Sequence, residues 1–465
     1  MDHHIFASPF SWRYGSAEMR AVWSEVHKRQ LWRQVWVALA RAQVHVGLVT
    51  PEQLADLEAN QHGVDMARAE AIEAEIHHDL MAEVRTYAEQ CKTGGAIIHL
   101  GATSADIEDN ADAIRLRESL DLLLSRLRDL LLVFARRIED EADTVIMAFT
   151  HLQPAEPTTL GYRLALYGQD LLEDWRTLTQ LRASIRGKGI KGAVGTSASF
   201  TELLAETQAA SSDLENAILS ELNLASFLIA SQTYPRKQDW RVLSALSGVA
   251  ASLNKFAFDL RLLQSPVIGE WQEPFGKAQV GSSAMPFKRN PINAEKTNSL
   301  ARLIQSLASV AWDNAALSLL ERTLDDSANR REILPVAFLA VDELLIVTTR
   351  LLDKMRIDRD AVARNNERYG LFAALERVMM SVVKAGADRQ HIHEHLRELS
   401  LRAWEVVTSG GSNPLRELVT QSPTLLNYRS TETLASLLDV SGYVGDAPRR
   451  ARMLAQAIHH ELKSV

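Results

Sequence analysis

Cysteine and basic charge are scarce in this sequence of 465 residues, and each shortage excludes a class of protein. Cys91 is the single cysteine, so neither an intrachain disulfide nor a cysteine-based metal site can form. Lysine and arginine number 51 against 59 aspartate and glutamate residues, and no basic stripe offsets this acidic balance. A nucleic-acid partner is therefore not expected. The cysteine usage fits a reducing compartment, with the cytoplasm as the default.

Long apolar runs and a secretory leader are missing as well. No apolar run reaches the ~18 residues that a membrane helix needs. The segment Met1–Phe10 lacks a basic stretch followed by an apolar core, so it does not resemble a signal peptide. No glycine-rich dinucleotide fingerprint follows a strand, and we expect neither a cofactor nor a metal. The expected partner is a small molecule, with no nucleic acid and no membrane involved.

Glycine and proline are sparse, at 22 and 13 residues, and long amphipathic segments take their place. In residues 107–141, apolar side chains recur at steps of three and four, which places them on one helical face. Four further segments repeat the pattern, at about 158–186, 236–263, 291–320 and 328–355. Each is far longer than the usual ~11–12 residues of a globular helix. The pattern predicts an all-α protein with a long central helical bundle.

Shorter helical segments flank this bundle on both sides. We expect an N-terminal helical domain over 1–104, a central long-helix domain over 105–356 and a C-terminal helical domain over 357–465. The apolar stripes of the central helices are wider than the bundle of a single chain can cover. A homo-oligomer is therefore expected to bury the remainder.

A polar loop interrupts the long helices. It reads Gly-Ser-Ser-Ala-Met-Pro-Phe-Lys-Arg-Asn-Pro from Gly281 to Pro291. A loop of this kind, with no apolar pattern of its own, is usually functional or disordered. Its cation, Lys288, and its amide, Asn290, are groups that can hold carboxylates. A serine in such a loop becomes a base where backbone N–H groups and a cation stabilise its alkoxide.

This string closely resembles the signature of the fumarase/aspartase superfamily. Two other segments match the same superfamily: Ile97–Ser104, followed by Asp109 and Asn110, and His151–Thr159, which is expected to follow one helix and start the next. The resemblance implies a fumarase/aspartase-like fold. It also implies a homotetramer in which the three segments meet in active sites shared between subunits.

Further stretches resemble the adenylosuccinate lyase branch of the superfamily. They are Lys191–Thr196, Gln232–Lys237, Glu321–Arg331 and Ser11–Tyr14, the last being similar to the element that touches the nucleotide phosphate. The resemblance implies a carbon–nitrogen lyase of purine biosynthesis that releases fumarate from adenylosuccinate to give AMP. It implies the same reaction on the succinylated imidazole ribotide SAICAR, giving AICAR.

A nucleotide monophosphate carries about two negative charges, and bidentate arginine contacts are the usual way to hold them. The resemblance therefore points to a phosphate clamp. Its expected members are Arg13, Tyr14, Arg322, Ser327 and Arg331.

Elimination across a C–N bond requires a base, an acid and donors aimed at the carboxylates. By carry-over from the family, Ser282 is the base, although the sequence does not separate it from its neighbour Ser283, which otherwise contacts the substrate. His151 is the acid, because an imidazole can be charged near neutral pH. Lys288 and Asn290 are expected to hold the succinyl carboxylates.

The remaining candidates bind or orient the substrate. His78 matches a family histidine that orients the acid or binds substrate, and it is followed by Asp79. His77 stands where the family commonly has arginine. A metal site at these histidines is a weak interpretation, because adjacent helical residues point in different directions. The other expected substrate contacts are Thr103, Ser104, Gln232 and Lys296, the last of which stands where some relatives carry arginine.

Two alternatives stay open. The first is another lyase of the same superfamily, of the argininosuccinate lyase or carboxymuconate cycloisomerase type, and the phosphate clamp argues against it. The second is a non-catalytic scaffold of the same fold. The intact Ser282, His151 and Lys288 argue against that reading.

Overall fold

Short helices build the N-terminal part of the computed structural model, which describes residues 4–463. Most of them begin where a serine, threonine or aspartate side chain accepts a hydrogen bond from the first helical turn, as Ser24 does from the backbone N–H of His27. The helices are α1 Ala17–Val22, α2 Glu25–His45, α3 Pro51–Asn60, α4 Met66–Ile76 and α5 Asp79–Gln90.

Five long helices follow, and they confirm the five amphipathic segments expected from the sequence. Their bounds are α6 Ser104–Asp140, α7 Leu160–Ser184, α10 Lys237–Gln264, α11 Ile292–Ala316 and α12 Ser327–Lys354. Two short helices, α8 Ala198–Leu203 and α9 Ser211–Glu221, lie between α7 and α10 in the chain. The all-α class is confirmed, because regular structure outside the helices is slight among residues 4–463.

The C-terminal part is helical as well. Its elements are α13 Arg359–Lys384, α14 Arg389–Thr408, α15 Leu415–Thr420, α16 Pro423–Leu426, α17 Thr431–Leu437 and α18 Ala447–Glu461. Buried apolar side chains of the first five of these, including Val378, Ile392 and Leu415, form one cluster. The division into three domains stays a prediction.

Two small antiparallel pairs are the strands of the described residues. β1 Val145–Thr150 pairs with β2 Gln153–Thr159, and β3 Trp271–Gln272 pairs with β4 Arg356–Ile357. The first pair was not expected, because the segment His151–Thr159 was predicted to begin a helix directly. That prediction is wrong at its start: β2 comes first, and α7 begins at Leu160.

The chain divides into two compact units. The first comprises the described residues up to Leu127, with Asp174–Ala251 and Ser299–Ile346; its core includes Trp36 and Phe338. The second comprises Arg128–Glu173, Ser252–Asn298 and the described residues from Val347 onward. Phe134, Tyr167, Phe256 and Trp271 pack ring against ring in its core.

Within residues 4–463, every helix is too short or too polar to cross a bilayer.

Candidate active site

The expected site residues divide between the two units. The first unit contains Arg13, Tyr14, His77, His78, Asp79, Thr103, Ser104, Gln232, Arg322, Ser327 and Arg331. The second contains His151, Ser282, Ser283, Lys288, Asn290 and Lys296.

A small polar cavity in the first unit, here called the arginine cavity, brings together three expected clamp residues. Its volume is about 120 Å³, and Arg322, Ser327 and Arg331 line it together with Asp79. Ser327 is the first residue of α12, so the N–H groups of that helix start lie beside its hydroxyl. Two guanidinium groups, a hydroxyl and a helix N-terminus make a site suited to an anion such as phosphate.

The two clamp arginines already have carboxylate partners. Arg331 donates to Asp79 at 2.8 Å, and Arg322 donates to Asp326 at 2.9 Å. Burial is the largest influence and raises the pKa of Asp79, but the hydrogen bond and charge of Arg331, with smaller contributions from the N–H of Leu80 and the charge of Lys28, together hold that pKa below its usual value. Asp79 is therefore ionised at neutral pH and neutralises Arg331.

A network of buried charges lines part of the arginine cavity, and none of its members was predicted as a site residue. Arg236 donates to Asp109 at 3.0 Å and to Asp326 at 2.6 Å. Arg330 donates to Asp239 at 2.7 Å and approaches Asp112 at 3.3 Å. Arginines and aspartates inside otherwise apolar helices were the available signal, because such charges are buried only when paired.

His78 begins α5 and is held by the backbone. Its Nδ1 accepts a 3.4 Å hydrogen bond from the N–H of Met81, so the neutral ring carries its proton on Nε2. His77 adopts a left-handed φ of 54° at the end of α4, which turns the chain between the two helices. Both histidine side chains are exposed. The turn therefore presents the Nε2–H of His78 outward.

The turn at Thr103 and Ser104 is fixed by a buried ion pair. Asp106, in the first turn of α6, accepts from the N–H of Thr103 at 2.9 Å. The same carboxylate accepts from Lys188 at 2.5 Å and from the N–H of Lys191 at 3.0 Å. Asp106 and Lys188 are both fully buried. The pair thus fastens the 187–192 loop to the helix start that carries the two hydroxyls.

The N-terminal clamp residues do not line the arginine cavity. Arg13 is exposed, and its guanidinium lies 5.7 Å from the Trp12 ring centroid and 5.9 Å from that of Tyr14. The following backbone is anchored to α12, because the N–H of Ser16 donates to Asp342 at 2.6 Å. The structure therefore places this element on α12 but leaves Arg13 projecting.

Gln232 lies beside the segment that carries Arg322. Its backbone N–H donates to the carbonyl of Glu321 at 3.2 Å, and its side chain is partly exposed. Gln232 is not among the residues that line the arginine cavity.

In the second unit, His151 occupies the turn of the β1–β2 hairpin. His151 and Leu152 form a two-residue turn, and both have left-handed φ values, of 53° and 59°. Such values are costly for residues other than glycine, so the flanking strands must impose them. The turn projects the imidazole into solvent at the rim of a cavity of about 790 Å³.

This larger cavity is lined mainly by apolar and aromatic side chains, including Tyr369 and Trp404. Its charged members are paired: Tyr167 donates to Asp259 at 2.7 Å, and Arg163 donates to Glu270 at 3.0 Å. The packed and paired side chains of this cavity therefore form a fixed wall next to the turn that carries His151.

The serine loop, residues 273–291, gives its two serines different surroundings. The Oγ of Ser282 accepts hydrogen bonds from the backbone N–H groups of Met285 at 3.0 Å and Ala284 at 3.3 Å. Ser283 is exposed and makes no such bond within residues 4–463. Donors aimed at an oxygen stabilise negative charge on it. The loop thus favours an alkoxide at Ser282.

The ends of the serine loop are drawn together by polar contacts. Asn290 donates to the carbonyl of Gly281 at 2.9 Å, which uses the amide group expected to hold a carboxylate. Glu273 accepts from the N–H of Ala294 at 2.6 Å, at the start of α11. Lys288 projects into solvent, and Lys296 is partly buried on α11.

Residues 4–463 offer no cluster of side chains with the geometry of a metal site. No group of three or more histidine, cysteine, aspartate or glutamate side chains lies close enough to share an ion.

Comparisons with known proteins agree with this architecture. Residues 14–306 match the family model described as Lyase, and residues 370–453 match the one described as Adenylosuccinate lyase C-terminus. A solved 3-carboxy-cis,cis-muconate lactonizing enzyme from Pseudomonas putida superposes with a TM-score of 0.85 at 27% identity, covering 97% of this chain and 99% of that one. A fumarate lyase from Mesorhizobium has a TM-score of 0.84 at 23% identity, over 97% and 99% of the two chains, and shows the shared fold alone.

Curated relatives narrow the assignment. The adenylosuccinate lyase of Saccharomyces cerevisiae is 38% identical over 461 residues, covering 98% of this chain and 95% of the relative. That of Pyrococcus horikoshii is 36% identical over 442 residues, covering 94% and 95%. The fold and the matches define a carbon–nitrogen lyase of the fumarase/aspartase superfamily. Within that class, the chain belongs to the adenylosuccinate lyase family.

Proposed function

We propose that the chain removes fumarate from adenylosuccinate to give AMP, and from SAICAR to give AICAR. The observation that carries the proposal is the arginine cavity, where Arg322, Ser327 and Arg331 surround space suited to a phosphate. A lyase whose substrate bears only carboxylates has no use for such a cavity. The substrate is therefore a phosphorylated one.

The base in this proposal is Ser282. Its alkoxide takes the proton from the succinyl carbon that lies next to a carboxylate, and the electron pair left behind is delocalised into that carboxylate. Two backbone N–H groups already point at the Ser282 oxygen, which supports this choice over Ser283. The cation of Lys288 and the amide of Asn290 bind the carboxylates once the loop closes over the substrate.

The acid is His151. As the electron pair returns to form the fumarate double bond, the C–N bond breaks and the departing nitrogen takes a proton from the imidazolium. His78 orients this acid or binds the substrate through its outward Nε2–H, and Thr103 and Ser104 donate to a succinyl carboxylate. We also assign His77, Gln232 and Lys296 as further substrate contacts.

The same proposal assigns Arg13 and Tyr14 to the nucleotide phosphate and assembles the site from several subunits of a cytoplasmic homotetramer. Side chains needed for chemistry are exposed in the single chain, as His78, His151 and Lys288 are. Large apolar side chains are exposed too: Leu320 is 92% exposed and Leu324 71%. Association of chains removes such surface from water and closes the site at the same time.

The test is turnover of purified protein, followed by the ultraviolet absorbance change as fumarate leaves. Adenylosuccinate and SAICAR should both be converted, and argininosuccinate, which lacks a phosphate, should not. Failure to release fumarate from either phosphorylated substrate refutes the proposal. Conversion of argininosuccinate at a comparable rate refutes the role given to the arginine cavity.

A further inference from the structure

Glu108 is an acidic residue of the arginine cavity to which the mechanism above gives no role. It lies one helical turn beyond Ser104 on α6 and lines the cavity together with Arg331. Its side chain is partly buried, yet within residues 4–463 its carboxyl group has neither a hydrogen-bond donor nor a cationic partner. A carboxyl group in such a place is available to a ligand.

The other carboxylates that line the cavity are all paired. Glu25 and Lys28 of α2 lie 2.6 Å apart, and Asp79 of α5 accepts from Arg331 of α12. On α6 itself, the remaining two are bound to arginines. Asp109 is bound by Arg236, and Asp112 lies 3.3 Å from both Arg115 and Arg330.

Burial raises the pKa of Glu108 to about 7, and the charges of Asp79, Asp109 and Asp112 act in the same direction. The charge of Arg331 lowers this pKa, but by less than the other influences raise it. At neutral pH, Glu108 is therefore divided between its neutral and ionised forms.

The charge in the cavity determines which protonation state of Glu108 a bound phosphate favours. Among residues 4–463, six cationic and five carboxylate side chains line it. A phosphate adds about two negative charges, which leaves a net negative cavity if Glu108 is ionised. A proton on Glu108 removes one of these negative charges, and like charges this close in a partly buried site are costly.

We infer that Glu108 binds the nucleotide phosphate as a neutral acid and donates its carboxyl proton in a hydrogen bond to a phosphate oxygen. This inference rests on the proposed function, because it needs a phosphate in the arginine cavity. It makes phosphate binding take up a proton whenever Glu108 is ionised beforehand. The affinity for AMP then falls by up to about tenfold for each pH unit above neutrality.

The test is isothermal titration of AMP into the intact protein at about pH 8, in buffers of different ionisation enthalpy. The wild type should take up about one proton per AMP bound. Glu108→Gln keeps a hydrogen-bond donor but cannot titrate, so it should take up almost none and bind AMP more tightly than the wild type at this pH. Free AMP is already a dianion there, because its second pKa is near 6.

Glu25→Gln is the matched control, since it makes the same change at a paired carboxylate of the same cavity; its proton uptake should equal that of the wild type. Adenosine, which lacks the phosphate, should bind without proton uptake. AMP binding by the wild type with no proton uptake overturns this inference and leaves the proposed function standing. So does equal uptake by the wild type and Glu108→Gln. A protein that neither binds AMP nor releases fumarate fails the proposed function itself.

Discussion

At the scale of single residues, Ser282 and Ser283 are identical in chemistry and differ in what their backbone surroundings offer. Two backbone N–H groups are directed at the Ser282 oxygen, whereas the Ser283 side chain is exposed to solvent. Because an alkoxide forms only where negative charge is stabilised, this difference bears on which serine removes the proton.

Replacing each serine with alanine should separate the two roles. Ser282→Ala should lower kcat for adenylosuccinate by about 10²–10⁴-fold, because a positioned base contributes that much. Ser283→Ala should lower it far less. Fumarate release measures both, and circular dichroism confirms that each variant is folded. Equal losses in the two variants, or a larger loss at Ser283, would reassign the base.

Glu108 also affects stability without any ligand. Its pKa is raised from 4.5 to about 7 in the folded chain, chiefly by burial, so between these values the folded protein binds more protons than the unfolded one. Stability is therefore lost as pH rises through that window. Glu108→Gln removes the loss and should gain at most about 3 kcal/mol at about pH 8, with almost no gain near pH 4.

Thermal melting of the wild type and Glu108→Gln across this pH range measures the gain. The Tm difference should grow with pH and level off above neutrality. Glu25→Gln, whose carboxylate is paired with Lys28, should show no such growth. A Tm difference between the wild type and Glu108→Gln that stays the same at every pH would contradict this link between protonation and stability.

The clamp residues Arg322, Ser327 and Arg331 were predictable because they recur in one string, and one helix start brings them together. Glu108 was not predictable as a site residue. On the sequence it looks like any solvated glutamate of a helix, and its burial depends on α5 and α12 packing beside α6. That packing involves residues more than 200 positions away, such as Arg331.

At the scale of elements, the five long central helices were predicted, because their apolar repeats extend over many turns and tolerate errors at the ends. α13 is just as long, at 26 residues, but lies in a region that was expected to hold shorter helices. The β1–β2 hairpin was missed. Its turn, His151–Leu152, lacks the glycine or asparagine that usually marks a two-residue turn. Pro154 and Pro157 in β2 and a register shift near Met147 further obscure the strand alternation.

The serine loop depends on one close backbone approach. A Cβ atom at Gly281 would overlap the carbonyl oxygen of Lys288, whereas a Cβ at Gly276 would have nothing nearer than 3.7 Å. Gly281→Ala should therefore force the loop open and lower kcat/KM by more than about tenfold, since small displacements of catalytic groups are costly. Gly276→Ala, in the same loop, should stay close to the wild type.

Fumarate release and Tm together check this prediction. The Tm of Gly281→Ala should change little, because the loop contributes few buried side chains. A Gly281→Ala enzyme with wild-type kcat/KM would show that the loop does not need this closure. Equal losses in both glycine variants would point to general loop stiffening.

At the scale of the whole molecule, the apolar stripes on the long helices predict that chains associate but do not predict how many. An apolar stripe predicts that another surface covers that face, whereas the symmetry of the assembly depends on shapes that form only after folding. Phe258 on α10 and Trp312 on α11, which are 59% and 52% exposed, belong to the surface that such a covering would remove from water.

Mixing two inactive variants tests the shared active site. If Ser282 and His151 of one site come from different subunits, random reassembly of equal amounts of Ser282→Ala and His151→Ala leaves about a quarter of the sites intact. The mixture should then recover about a quarter of wild-type activity after denaturation and refolding together. Each variant refolded alone is the control. No recovery in the mixture would mean that both groups act from one chain.

The ion pair between Asp79 and Arg331 has a consequence for selectivity. An anion that binds the Nη2 group of Arg331 must compete with the Asp79 carboxylate, which belongs to the same chain and is therefore present at a very high effective concentration. Dissolved sulfate or inorganic phosphate has no second point of attachment to the protein, so it competes poorly with the Asp79 carboxylate. A nucleotide that is also bound at its other end competes with Asp79 far more effectively, because its phosphate is then held close to Arg331. The pair therefore selects nucleotides over small anions before any reaction takes place.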